Sequence, residues 1–253
     1  MNTRERRRAL LAALEQDKRV VVAELAERFA VTTMTVRRDV RRLAEINVVT
    51  LVHGGAIYNE GGATLPTVTA RARVMQTTKL RLAEACAARV QEGNAIYLDT
   101  GSTCMSIAQA LANRKNIAVL THSLGVMNIL SNSEGLQLFT MAGQYNAKLK
   151  GFFGDLTCRD IDGFRIDAAF LGTCALSLDG GMMSTDAIDQ CVKRKIIETA
   201  HKNIAVVDHT KIGKDAFLRV CDLRDLDSII TDKEADAAFV ASAQKLGIEV
   251  VQV

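Results

Sequence analysis

Two stretches of this chain hold residue types from which chemistry can be built. The first is VTTMTVRRDVRRL, Val31 to Leu43, with four arginines in six residues, split by Asp39 and Val40. Guanidinium forks pair with phosphate oxygens or with a guanine edge, and threonine reaches base edges or thymine methyls. The second is Asp99-Thr100-Gly101-Ser102-Thr103, between the apolar run AIYL and a helical tract. There glycine permits a tight turn, and hydroxyls with the first free amides of a helix can surround an anion. Each stretch also has a plain structural reading. The arginine run would be a solvated helix face, with Asp39 and Glu45 offsetting its charge, and D-T-G-S-T would be an ordinary turn.

The elements around the arginine run favour the first reading. On a helical wheel Arg37, Arg41, Arg38 and Arg42 fall within about 140° of one another. Val36, Val40 and Leu43 fall on the opposite side, where they can pack on Leu14, Leu25 and Phe29. Residues 3–16 read as a helix with Leu10, Leu11 and Leu14 on one face. Arg19-Val20-Val21 is extended, and VAELAERF forms a second helix. Thr32 is placed to cap a third, which runs to about Glu45. A β-like strip at 48–52 ends at His53-Gly54-Gly55. Helix, helix, short turn, helix and hairpin is the order of a winged helix-turn-helix, whose recognition helix enters the major groove by its N-terminal part. Thr33, Met34, Thr35, Arg37 and Arg38 are then candidate base contacts, and Arg41 and Arg42 candidate phosphate contacts.

Charge distribution agrees. Residues 1–56 carry 11 Lys/Arg against 7 Asp/Glu, while the whole chain of 253 residues is only +3. The positive excess lies in the first quarter, which points to an anionic partner for that quarter alone. Six cysteines without a CxxC pair and four scattered histidines offer no metal-ligand spacing, so no metal and no cofactor are expected. The absence of a signal-peptide core or of a membrane-length apolar run suggests a soluble, cytoplasmic protein.

Beyond Asn59–Thr69, which contains Gly61-Gly62 and the single proline, Pro66, the pattern alternates strand and helix. Strands are expected at 95–99, 117–121, 136–141, 167–171, 203–207, 228–231 and 248–252. Helices are expected at 76–91, 103–112, 124–131, 186–200 and 235–246. The fold class is thus α/β, a small winged helix-turn-helix followed by a larger open, mostly parallel α/β domain. The expected divisions are 1–57, a linker at 58–75, and 76–253. Ligands in such sheets sit beyond the carboxyl ends of strands. Besides the Asp99–Thr103 loop, that rim collects Thr121, His122 and Ser123, then Gly143, Gly172 and the Asp208–Lys211 turn. Asp99 could equally cap its turn, Lys193 face solvent in KRKIIE, and His209 be a structural strand-end histidine.

VVVAELAERFAVTTMTVRRDVRRLAEINVVTLVHGGA closely resembles the N-terminal helix-turn-helix of the DeoR family of bacterial transcription regulators. The likeness lies in V-x-x-L-A-x-x-F, the T-V-R-R-D tract from Thr35 to Asp39, and H-G-G-A from His53 to Ala56, which adds His53 to the DNA-binding set. The remaining length resembles that family's effector domain, itself similar to ribose-5-phosphate isomerase, glucosamine-6-phosphate deaminase and CoA transferases. The resemblance implies a phosphorylated sugar effector with its phosphate near Gly101, Ser102 and Thr103. It further implies Lys211 as a second anion contact, with Asp186 and Lys193 facing the sugar. The chain departs from the family at His122, where asparagine is common, at Ala142-Gly143, where Gly-Gly is common, and near Asp186, where glutamate is common.

The expectation is a regulator, a repressor of a carbohydrate-catabolism operon, acting on double-stranded operator DNA as a homodimer or homotetramer. The alternative is a sugar-phosphate isomerase or deaminase with a DNA-binding appendage. Against catalysis, the D-G-A-D-E cluster of ribose-5-phosphate isomerase is absent, and LGTCALSLDGG leaves Asp179 alone.

Overall fold

The computed structural model describes residues 3–45, 49–52, 54–58, 68–72 and 74–253. Two compact units divide at Arg71/Ala72.

In the first unit α1 (Thr3–Asp17), β1 (Arg19–Val21), α2 (Val22–Arg28) and α3 (Thr33–Glu45) precede the hairpin of β2 (Val49–Val52) and β3 (Gly55–Tyr58). The hairpin takes β1 as a third antiparallel strand in the order β1-β3-β2, with Val20 opposite Ala56 and Thr50 opposite Ile57. Leu10, Leu14, Leu25, Phe29, Val36, Val40, Leu43 and Ala56 form one buried core. Thr32 caps α3 as its position suggested, its Oγ1 accepting from the Thr35 amide at 3.2 Å. Asp39 lies on the inner side of α3. It is 1% exposed and accepts from Arg6 Nε of α1 at 2.7 Å, while Arg6 itself is buried. This ion pair fastens α1 to α3.

The short helix α4 (Val68–Ala72) occupies part of the expected linker, and residues 59–67 of that linker lie outside the described residues. The second unit opens with α5 (Gln76–Ala87), β4 (Ala95–Leu98), α6 (Ser102–Leu111), β5 (Ala118–Thr121), α7 (Leu124–Leu130) and β6 (Gln137–Thr140). A hairpin of β7 (Gln144–Asn146) and β8 (Gly151–Phe153) leads to α8 (Asp155–Ile161) and β9 (Ala168–Gly172). Next come β10 (Ala175–Ser177), β11 (Gly181–Ser184), α9 (Ala187–Thr199), β12 (Asn203–Val206) and β13 (Leu218–Cys221). β14 (Ser228–Thr231), α10 (Ala237–Lys245) and β15 (Glu249–Gln252) complete the unit. Seven strands form one parallel sheet in the order β15-β14-β12-β9-β4-β5-β6. Both faces are covered, as the apolar strand composition requires. Ile96 and Leu98 pack with α5, α6 and α7. Between them Tyr97 points to the core shared with α8, α9 and α10.

Chain direction across the sheet reverses between β4 and β9. From β4 the strands proceed outward through β5 and β6, and from β9 outward through β12, β14 and β15. Crossovers diverge at that point, and in open sheets of this kind the carboxyl ends of the strands there are where ligands sit. Sequence periodicity did not reveal the β7–β8 hairpin, α8, or the antiparallel sheet β10-β11-β13. Three- and four-residue strands such as QYN and GFF are too short to display a period of two. No described helix is long and apolar enough to cross a membrane.

The Arg6–Asp39 pair sets a stability contrast within the first unit. Asp39→Ala strands a buried guanidinium and should cost about 3–5 kcal/mol. Arg37→Ala, on the exposed side of the same helix, should stay within about 0.5 kcal/mol. Urea unfolding of the full chain, monitored on the first unit's transition, measures both, and equal effects would show that solvent screens the pair.

Candidate functional site

On α3 the division drawn from the wheel is physical. Val36 and Val40 are 1% exposed, whereas Arg37, Arg38, Arg41, Thr33 and Met34 face solvent and Thr35 is half-buried. Met34 is 69% exposed, an apolar side chain presented at the first turn of the helix. Thr35 Oγ1 lies 3.0 Å from Thr32 Oγ1, which orients one hydroxyl of this face. A row of cations and small contact groups is held outward by the core behind it. The side chain of Arg42 and all of His53 lie outside the described residues.

In the second unit the loop after β4 meets the end of β9 at the switch point. Asp99, wholly buried, accepts from the Thr100 amide at 2.7 Å and from the Gly172 amide at 3.0 Å. Its Oδ2 also lies 3.0 Å from Lys193 Nζ of α9. That ammonium also donates to Asp189, whose other oxygen takes the Ser184 hydroxyl proton at 2.7 Å. Lys193 is only 4% exposed, so it is not the solvated side chain its sequence context allowed. Burial alone would drive Lys193 down, but the two carboxylates outweigh it and hold the ammonium above its ordinary range. Burial works against Asp189 too, yet Lys193 and the Ser184 hydroxyl together keep its carboxyl below the usual range. Asp99, where burial outweighs the share of Lys193 left to it, is held above that range. Asp99 and Lys193 therefore fix the switch point from beneath.

Gly101 has φ of +119°, a conformation denied to residues with a side chain, and it starts α6. The first intrahelical bond runs from the Met105 amide to the Gly101 carbonyl, so the amides of Ser102, Thr103 and Cys104 precede it. Ser102 is buried and Thr103 half-buried beside those amides. The end of β5 is differently employed. Thr121 donates to the Leu98 carbonyl at 2.7 Å and accepts from the Ser123 amide, and Ser123 caps α7 through the Val126 amide. Their hydroxyls are spent on backbone groups.

His122 between them is wholly buried, its Nδ1 2.9 Å from the Tyr97 hydroxyl. The ring stacks on Tyr97 and meets Phe153 edge-on. Nε2 has no hydrogen-bond partner among the described residues. Burial, with the Lys193 charge, pushes this imidazole down to about 3, so it is neutral over the physiological range.

The β7–β8 hairpin closes over this corner. Its Phe152 amide donates to the His122 carbonyl at 2.9 Å, and the Leu124 amide donates to the Lys150 carbonyl. A Cβ at Gly151 would lie 2.7 Å from Thr100 Cγ2 and 2.9 Å from the His122 carbonyl oxygen, so only glycine lets β8 pass here. Lys148 and Lys150 of the hairpin are half-buried, and sequence reading missed them. The available signal was K-L-K-G between two aromatic tracts. Gly143 packs against Thr157 and Phe153. Asp186 caps α9, accepting from the Ile188 amide at 3.2 Å. Lys211 is half-buried in the 3-10 turn after β12.

His209 holds that turn to β14. Its amide and Nδ1 each lie 2.8 Å from Asp232 oxygens, which also accept from the Glu234 amide. Asp232 is thereby satisfied within the protein. The structure thus brings Asp99, Gly172 and Lys193 into direct contact, seats Gly101–Thr103 above them, and gives Asp186 a capping role.

Two family profiles match the chain. The DeoR-like helix-turn-helix domain covers residues 6–61, and the DeoR C terminal sensor domain covers residues 74–233. Over 232 residues, 92% of each chain, it is 30% identical to the glycerol-3-phosphate regulon repressor of Escherichia coli (strain K12). It is 27% identical to the HTH-type transcriptional repressor GlcR of Bacillus subtilis (strain 168), covering 99% of this chain and 96% of that one. Among solved structures, ribose 5-phosphate isomerase A from Methanocaldococcus jannaschii superposes with a TM-score of 0.42 at 19% identity, over 55% of each chain.

The buried imidazole generates a pH prediction. Folded His122 takes a proton only near about 3, whereas the unfolded imidazole takes it near 6.5. Between those values the unfolded chain binds the extra proton, so stability falls as pH falls, by up to about 1.4 kcal/mol per pH unit. In thermal unfolding of the second unit, His122→Asn should flatten the acid limb of Tm against pH. Parallel limbs for wild type and variant would remove His122 as the source.

Proposed function

Since the chain belongs to the DeoR family of transcription regulators, a DNA-binding helix-turn-helix joined to a sensor domain, we propose that it represses a carbohydrate-catabolism operon and releases its operator when a phosphorylated sugar occupies the second unit. The observation that carries the DNA half is the two-sided α3, with Val36 and Val40 buried and Arg37, Arg38 and Arg41 presented together. In this reading Thr33, Met34, Thr35, Arg37 and Arg38 meet base edges, and Arg41, with Arg42 and His53, meets the backbone. One such domain makes few contacts, so two or four copies reading paired half-sites are required for tight binding in the cytoplasm. The names of the relatives, a glycerol-3-phosphate regulon repressor and the repressor GlcR, support this assignment.

For the effector, the switch-point crevice supplies the argument. The phosphate sits on the amides of Ser102, Thr103 and Cys104, where the dipole of a ten-residue helix adds its attraction. Lys211 supplies a second positive charge, and Asp186 reaches sugar hydroxyls. Asp99 and Lys193 act from below by holding Thr100 and Gly172 in place. The regulator does not turn its effector over. Enediol chemistry needs a base free to take a proton from carbon, whereas Asp99 and Asp189 are committed to Lys193 and to backbone or hydroxyl donors.

Operator binding tests the first half. Arg38→Ala should cost about 1–3 kcal/mol and relax base preference at one position, whereas equal loss on all sequences would make Arg38 a phosphate contact. Arg41→Ala should lower the salt-dependence slope by about one, and an unchanged slope would exclude phosphate contact. The second half is tested by Ser102→Asp, which puts negative charge on the anion seat. This variant should hold operator DNA while ignoring sugar phosphates that release the wild type, and normal release would remove the loop from the site. Wild-type protein should bind an aldose or ketose phosphate saturably without converting it, and turnover would restore the enzyme reading.

A further inference from the structure

The sulfurs of Cys158 and Cys191 lie 3.5 Å apart, although 33 residues separate them in sequence. Cys158 is half-buried near the middle of α8, and Cys191 is exposed on the second turn of α9. The other four thiols are placed differently. Cys86, Cys104 and Cys221 are buried, and Cys174 donates to the Met183 carbonyl. An ion pair between Lys195 and Asp162 holds the same two helices together close by. Disulfide formation needs a sulfur separation of about 2.05 Å, so the pair must close by roughly 1.5 Å, within reach of side-chain rotation about Cα–Cβ.

We propose that Cys158 and Cys191 form a reversible dithiol–disulfide site, oxidised by hydroperoxides, that locks α8 to α9. Cys191 is the thiol that peroxide reaches, because it is exposed. Burial and the hydrogen bond with Cys191 push the Cys158 thiol up to about 11, so it stays a thiol while Cys191 meets the peroxide and gives up its proton only as it attacks in the second step. First the Cys191 thiolate attacks one peroxide oxygen and the O–O bond breaks. Cys191 becomes a sulfenic acid, and the leaving oxygen departs as hydroxide or alkoxide and takes up the thiol proton. Then the Cys158 sulfur attacks the sulfenic sulfur, the S–O bond breaks, and the Cys158 proton leaves with that oxygen as water. In sum two thiols and one hydroperoxide yield one disulfide, one water and one water or alcohol. A dithiol reductant reverses it by exchange.

Each helix also holds a segment at the carboxyl ends of the strands. From α8, Thr157 donates to the Ala142 carbonyl at 2.7 Å and Asp160 accepts from the Ala142 amide at 2.9 Å, which fixes the loop at Gly143. From α9, Lys193 reaches Asp99. A covalent tie between them alters how that crevice admits an effector. This consequence rests on the effector reading above, whereas the thiol chemistry does not.

The experiment treats reduced full-length protein with limiting hydrogen peroxide. Four of the six thiols should remain titratable, and peptide mapping should find Cys158 joined to Cys191, released again by dithiothreitol. Cys158→Ser should instead accumulate Cys191 sulfenic or sulfinic acid. Wild-type protein in which Cys191 over-oxidises while Cys158 stays free, or in which another pair bridges, would overturn the proposal. The oxidised protein should release operator at a shifted concentration of sugar phosphate, and Cys191→Ser should show no such shift. A bridge formed with an unshifted response overturns the lock on the crevice. A reduced wild type that ignores every sugar phosphate defeats the effector reading instead and leaves the bridging result standing.

Discussion

The second unit depends on one ammonium. Lys193 is buried between Asp99 and Asp189, and through them it reaches the amides of Thr100 and Gly172 and the hydroxyl of Ser184. Four pieces of chain converge on it: the loop after β4, the end of β9, the end of β11 and the first turns of α9. Burying three charges is expensive, and such a group is tolerable only where every lone pair has a donor. Here the donors are backbone amides at the point where the sheet's connections diverge. Beyond the backbone ladder of β4 and β9, that cluster ties the loop after β4 to the end of β9 and to α9 at the switch point.

The first unit uses the same device on a smaller scale. Arg6 and Asp39 form a buried pair between α1 and α3, and the apolar residues beside Asp39 complete the anchorage. The effect is directional. Asp39 turns inward onto Arg6, while Arg37, Arg38 and Arg41 point together into solvent. A net positive face of this kind raises encounter rate and affinity for a polyanion through released counterions. Threonines and Met34 at the helix's first turn add groups that a sequence-dependent groove can distinguish.

How much of this could be read from the chain depended on the range of each interaction. The two-sided α3 was legible because its periodicity is contained in one helix, and the Thr32 cap because it acts three residues away. The seven-strand sheet was legible because its strands are short apolar runs and several of them are followed by helical tracts. What escaped is long-range. The pairing of Asp39 escaped because its partner Arg6 lies on another helix, and Lys193, left between a sugar-facing and a solvated reading, was not placed against Asp99 because that residue is far away in sequence. His122 read as one polar strand end among several, whereas the fold stacks it on Tyr97 beneath the β7–β8 hairpin. That hairpin escaped because strands of three residues carry no usable alternation. The nearness of Cys158 to Cys191 escaped because it is a property of helix packing and of no sequence spacing.

These placements constrain where the crevice can respond to a ligand. A ligand shifts a conformational equilibrium only by the difference in its affinity for two states, so some wall of the site must have two arrangements. The floor is a poor candidate. Asp99 alone has two amides, a hydroxyl neighbour and an ammonium, and moving it would strand several buried polar groups at once. The hairpin is held by less. Its two buried apolar anchors are Leu149 and Phe153, its Tyr145 is exposed, and it meets the sheet through a few backbone bonds to His122 and Leu124. It carries Lys148 and Lys150, and its close fit over Thr100 requires a bare Cα at Gly151. An anion held at the start of α6 would therefore find a rigid floor below it and a lightly fastened, cationic cover beside it. The cover is the part of the crevice that can change at least cost.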